Sequence, residues 1–234
     1  MTSPSTTQTT ASTGPRPGWI ELTVGLAVMA LIAFVLAPQL NHLGMSGPTA
    51  GIVSGVVSGG GGLLAFLAAA LVRRCPWETF GVRRTTVRWM MIGLAAGLVA
   101  FVARAVTVYL VSLVIDVEGD TQASYAAGAG AGAVSLALMM LTLAVLTPLG
   151  EEFLFRGVVT TVLLRYGALV GVVGSAVVFA LMHGINEVLP AAVIVGLIAA
   201  ELYRRSGSIW PGVLMHALYN AISLALLALA AVAA

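Results

Sequence analysis

Almost the whole chain divides into apolar runs of the length that crosses a hydrocarbon layer, and this limits the fold more than any motif does. A bilayer core about 30 Å thick takes a helix of roughly 20 apolar residues. Such runs fall at about 20–40, 48–72, 89–115, 130–165, 168–186, 188–203 and 209–232. Within lipid, a single segment satisfies its own N–H and C=O groups only as a helix. The expected fold is therefore all-α: a polytopic transmembrane helical bundle of about seven spans with no inserted soluble domain. Only 9% of the 234 residues are charged, against about 25% in soluble domains. With a mean hydropathy of +1.04, this excludes a soluble enzyme, a disordered protein and a nucleic-acid binder.

The arginines suggest an orientation. All eleven basic residues are Arg, and nine of them follow even-numbered spans: Arg73, Arg74, Arg83, Arg84 and Arg88 after the second, Arg156 and Arg165 after the fourth, and Arg204 and Arg205 after the sixth. With seven spans these fall on one side, while Asp116, Glu118, Asp120 and Glu187 fall on the other. The positive-inside rule then places the N-terminus in the cytoplasm. Residues 1–18, rich in Ser, Thr, Pro and Gly, read as a disordered cytoplasmic tail. The run at 22–37 lacks a preceding basic cluster and a following A-x-A site, so it reads as a span and not as a signal peptide. Gly59-Gly60-Gly61-Gly62 and the Gly/Ala run 128–133 read as sites of close helix packing or a flexible helix start.

Polar chemistry collects in 148–220. Ionisable groups within a span are costly and so point to function. Glu151 lies about 15–16 residues before the turn expected at Tyr166-Gly167, and His183 about 16 after it. At 1.5 Å per residue, an antiparallel hairpin brings the two level. Glu152 and Arg156, four apart with the acid first, form the favourable ion-pair order. Glu151 is rotated about 100° from that pair and faces a different partner. His216 and Asn220 share a helix face. A carboxylate in an apolar pocket suits a general base. His183 can orient a water, and His216 with Asn220 can donate to a developing oxyanion. That set suffices for hydrolysis of an amide by water.

Three motifs stand in order: Glu151-Glu152…Arg156, Phe179…His183 and His216…Asn220. Here the sequence resembles the CPBP family of intramembrane glutamic endopeptidases. That family includes the type II CAAX prenyl endopeptidases and bacterial bacteriocin-processing and self-immunity proteins. The resemblance covers about 130–225. It implies that Glu151 and His183 activate the water and that His216 and Asn220 form the oxyanion site. Glu152, Arg156 and Phe179 would support them. The chain then divides into the tail (1–18), N-terminal transmembrane helices (19–124) and a CAAX-protease-like catalytic core (125–234).

The expected partners are the lipid bilayer and a membrane-associated peptide or protein substrate, with no nucleic acid. No cofactor or metal is expected. The alternative is a zinc-dependent membrane protease using His183, His216 and a Glu, although no H-E-x-x-H occurs. A non-catalytic immunity or scaffold protein is an alternative of another class. A proton-linked transporter built on Glu151 has no inverted repeat to support it. Arg104, inside the third span, pairs with an acid or backbone carbonyls, or else binds a substrate carboxylate. The expected location is a bacterial cell membrane, with the site open toward the cytoplasm.

Overall fold

A computed structural model of the chain describes residues 15–113 and 122–233. Most of the expected tail, and the acidic residues Asp116, Glu118 and Asp120, lie outside the described residues. Among those described there is no strand. The main helices are α1 (Trp19–Leu40), α2 (Gly47–Val72), α3 (Val87–Ser112), α4 (Ala123–Gly130), α5 (Ala133–Tyr166), α6 (Val170–Met182), α7 (Leu189–Ser206) and α8 (Trp210–Ala233).

Local chemistry sets the ends. Pro48, Pro190 and Pro211 occupy first turns, where a missing N–H costs no intrahelical bond. The Thr86 hydroxyl accepts from the Trp89 N–H at the start of α3. Gly167 (φ +106°) reverses the chain between α5 and α6, and Gly207 (φ +65°) does so between α7 and α8. Both conformations are ones a side chain disfavours.

Helix α5 does not follow one winding throughout. It is π-wound at Met140–Leu146 and Phe153–Thr160, on either side of the α-helical turn that carries both glutamates. Pro148 cannot donate to the carbonyl four residues back, and the turn before it is widened. The Thr160 and Thr161 hydroxyls donate to the carbonyls of Phe155 and Arg156, five residues back. Pro148 is thus accommodated by a change of winding within a continuous helix. Such π turns are frequent at functional sites.

Five of the helices are long and apolar enough to cross a membrane: α1, α2, α3, α5 and α8. The other two expected runs appear as α6, which is shorter, and α7, which carries Glu201, Arg204 and Arg205 near its end. Interhelical contacts give the helix directions. Gly25 of α1 meets Ala69 of α2, and Gly61 meets Ile32, so α1 and α2 are antiparallel. Gly55, Gly59 and Gly62 of α2 meet Thr142, Leu146 and Gly150 in turn, so α2 and α5 are parallel. By the same reading, Gly93 and Gly97 set α3 parallel to α8, against Pro211 and Met215. Many large apolar side chains of α1 and α3, such as Phe34, Val99 and Val102, face outward.

The glycine run of α2 is a packing device. A Cβ at Gly62 would lie 2.5 Å from the Gly150 carbonyl carbon, and one at Gly59 equally close to that of Leu146. At this approach backbone meets backbone, as small residues permit between helices in lipid. Gly60 has nothing within contact distance and takes no part. In the other Gly/Ala run, Gly128 packs on Met139 and Gly132 (φ +100°) breaks the chain between α4 and α5.

Candidate active site

The α5–α6 hairpin brings Glu151 and His183 level. Oε2 of Glu151 lies 3.9 Å from Nε2 of His183 and 3.9 Å from Nε2 of His216, which arrives on α8. Glu151 is 3% exposed. Its Oε1 accepts a hydrogen bond from the Ser58 hydroxyl at 2.8 Å. Its Oε2 is buried with no hydrogen-bond partner among the described residues. The carboxylate thus has one oxygen anchored and the other turned toward two imidazoles.

The histidines are oriented by what stands behind them. Nδ1 of His183 is 2.9 Å from the Phe179 carbonyl. A carbonyl only accepts, so Nδ1 carries the proton and, in the neutral ring, Nε2 presents a lone pair to Glu151. Nδ1 of His216 is 3.3 Å from Oε1 of Glu152. It donates to that carboxylate, which leaves Nε2 for the cavity.

Glu152 and Arg156 are both fully buried. Nη2 of Arg156 donates to Oε1 at 3.2 Å. Nε stands 3.0 Å from Oε2 as an ion pair, without its N–H being aimed for a hydrogen bond. The guanidinium also lies over the Phe179 ring, 4.8 Å from its centroid. Phe179 in turn has ring centroids 4.6 Å from His183 and 6.0 Å from His216. One aromatic side chain thus touches the guanidinium and both imidazoles. The i,i+4 arrangement read from sequence is present, and Glu152 also reaches His216, so the pair is linked to the site.

Asn220 sits one turn beyond His216 on α8. Its amide Nδ2 donates to the Leu143 carbonyl in the first π segment of α5 at 2.7 Å. One of its two N–H groups is thereby committed to holding α8 against α5. Glu151, Phe179, His183, His216 and Asn220 line one cavity of about 320 Å³, together with Arg104. A second cavity, of about 200 Å³ and mostly apolar, lies between α1, α2 and α6 and reaches the same Glu151, His183 and Ser58. Among the described residues no three of His, Cys, Asp and Glu are grouped at metal-ligand spacing.

Ser58 was missed by sequence reasoning. It precedes the glycine run, 93 residues from Glu151 in the chain. Its only sequence signal is a hydroxyl next to the glycines that bring α2 onto α5. The structure also separates two features expected to share a side. The cavity-lining residues Gln122, Asn186 and Leu227 lie at the end of the bundle away from the arginine-bearing segments.

Residues 133–222 match the family model described as type II CAAX prenyl endopeptidase Rce1-like. No curated protein and no solved structure matches the chain.

Proposed function

From the premise that the chain belongs to the CPBP family of membrane endopeptidases, of which the type II CAAX prenyl endopeptidases are part, we propose that it hydrolyses a peptide bond with water activated by Glu151 and His183. The observation that carries this reading is the free, buried Oε2 of Glu151 facing two imidazole nitrogens at equal distance. A water at hydrogen-bond distance, about 2.8 Å, from both Oε2 and Nε2 of His183 fits their 3.9 Å separation. Glu151 takes a proton from this water, and the oxygen attacks the scissile carbonyl carbon. Nε2–H of a doubly protonated His216, supported by Glu152, donates to the carbonyl oxygen as it becomes an oxyanion. The uncommitted N–H of Asn220 is a second donor for that oxygen. Glu151 then returns the proton to the leaving amine as the C–N bond breaks. Arg104, in the same cavity, binds the C-terminal carboxylate of the substrate.

The helix directions support seven crossings of alternating sense, with α6 and α7 as the fifth and sixth. The Arg-only basic set and the Ala/Gly/Val-rich composition favour a bacterial source. The protein is then a multi-pass cell-membrane enzyme with its N-terminus in the cytoplasm.

The test compares purified wild type with Glu151→Gln in mild detergent. Both are given a peptide library that includes farnesylated C-terminal peptides, with a chelator present and products read by mass spectrometry. Cleavage by the wild type alone is the expected result. Equal cleavage by both removes Glu151 from the chemistry. Activity lost on chelation and restored by Zn²⁺ supports the zinc alternative. No cleavage by either, with both folded, supports a scaffold.

A further inference from the structure

Neither cavity touches the arginine-bearing end of the bundle. That end is built from residues 16–21, 73–88, 163–167 and 203–210. It is tied together by Arg73–Glu21, by Arg83 donating to the Gly207 carbonyl, and by Trp19 donating to Tyr166. No residue from these segments lines either cavity. The first cavity runs from Glu151 along α8 to Leu227 and along the α6–α7 connection to Asn186. The second runs from Glu151 up α1 to Leu40 and Met45. Both lead toward the opposite end.

The arginine side is sealed. Phe66, Trp77, Phe153 and Trp210 stack edge to face, with ring centroids 5.0–6.3 Å apart. Phe80 joins them at 5.2 Å from Phe66. Phe66 and Phe80 are wholly buried. Phe153 joins this block to α5, and Leu154, Phe155, Val158, Val159 and Val162, all buried, fill the turns of α5 between the glutamates and Arg165. On the arginine side Glu151 is backed by buried side chains, whereas two cavities meet at Glu151 from the other side.

The arginine face is the one that charge bias holds in the cytoplasm. We infer that the site takes its substrate from the extracytoplasmic side. The substrate class is then a peptide segment exposed at the outer face of the membrane, and not a C-terminus presented from the cytosol. This rests on the hydrolytic reading of Glu151 for the chemistry, and on the cavities and the buried side chains behind Glu151 for the direction.

The test uses cysteine labelling in the full-length protein. In a Cys75→Ala background, Ile185→Cys places a thiol beside the mouth at a residue 87% exposed. Arg84→Cys places one on the arginine face, where the residue is also exposed. Intact cells are treated with a membrane-impermeant maleimide before and after permeabilisation. Labelling of Ile185→Cys in intact cells, with Arg84→Cys labelled only after permeabilisation, is the expected result. Labelling of Arg84→Cys in intact cells, or of Ile185→Cys only after permeabilisation, overturns the inference. A parallel assay in proteoliposomes sorted by orientation adds library peptides from outside. Glu151-dependent cleavage is expected where the Ile185 side faces out. If it occurs only where the Arg84 side faces out, the direction fails and the hydrolytic reading stands. If labelling is as expected but no orientation gives Glu151-dependent cleavage, the hydrolytic reading fails and the proposed substrate class fails with it.

Discussion

Nε2 of His183 and Oε2 of Glu151 stand 3.9 Å apart across the α5–α6 hairpin, each held from behind by a group that leaves the facing atom unbonded. The Phe179 carbonyl fixes the His183 tautomer, and Ser58 anchors the far oxygen of Glu151. Glu151→Gln keeps the shape and the Ser58 contact but removes the proposed base. Cleavage should fall by about 10²–10⁴-fold, the usual worth of a general base, with unchanged helicity and elution. Ser58→Ala should cost much less, because it frees Oε1 without removing Oε2. A Glu151→Gln protein as active as wild type would contradict the assignment.

The buried Glu152–Arg156 pair should dominate stability near the site. Arg156→Met removes the guanidinium from a carboxylate at zero exposure and should cost about 3–5 kcal/mol. Adding Glu152→Leu should recover much of that loss, since two apolar groups can replace a buried pair. It should not recover activity, because Glu152 also holds Nδ1 of His216. Thermal unfolding in detergent and turnover, measured on the same three variants, check both halves.

The glycines of α2 differ sharply over three residues. A Cβ at Gly62 meets the backbone of Gly150, whereas one at Gly60 meets nothing. Gly62→Ala should destabilise by about 1–3 kcal/mol through overpacking, and should lower activity by moving Ser58 away from Glu151. Gly60→Ala should be neutral or slightly stabilising, since alanine favours helix. Equal melting temperatures for the two variants would refute backbone-to-backbone packing here.

Arg104 lines the cavity within a span, and its charge must answer to something. Arg104→Gln should raise KM for peptides with a free C-terminal carboxylate more than it lowers kcat. For the same peptides amidated at the C-terminus, KM should not change. An equal effect on both peptide forms would remove the carboxylate contact.

Cys75, in the connection after α2, is only 4% exposed and its Sγ lies 3.8 Å from Oε1 of Glu21. Burial, with the neighbouring carboxylate adding to it, pushes the thiol pKa up. A raised thiol pKa lowers the thiolate fraction at any pH below it, and the thiolate is the reactive form. Alkylation of the native protein at pH 7 should therefore be slow, rise only at higher pH than for a free thiol, and become rapid on denaturation. Fast native labelling at pH 7 would contradict the burial.

Sequence alone determined the all-helical fold, the position of the apolar runs, the level meeting of Glu151 with His183, and the i,i+4 pairing of Glu152 with Arg156. Each follows from counting along one helix or across one tight turn, where a rise of 1.5 Å per residue and a period of 3.6 hold locally. Only tertiary structure decided that Ser58 anchors Glu151, that Glu152 reaches His216, and that Asn220 ties α8 to the Leu143 carbonyl. It also decided that the arginine side is filled by buried side chains while both cavities lead the other way. In a soluble protein the polar face of each helix would have pointed outward and shown how the helices are turned. In lipid both faces are apolar, and association rests on close packing of small residues and a few hydrogen bonds. Which helix lies on which, and at what rotation, is therefore set by contacts between segments such as Gly62 on Gly150, and no pattern within a single segment records them.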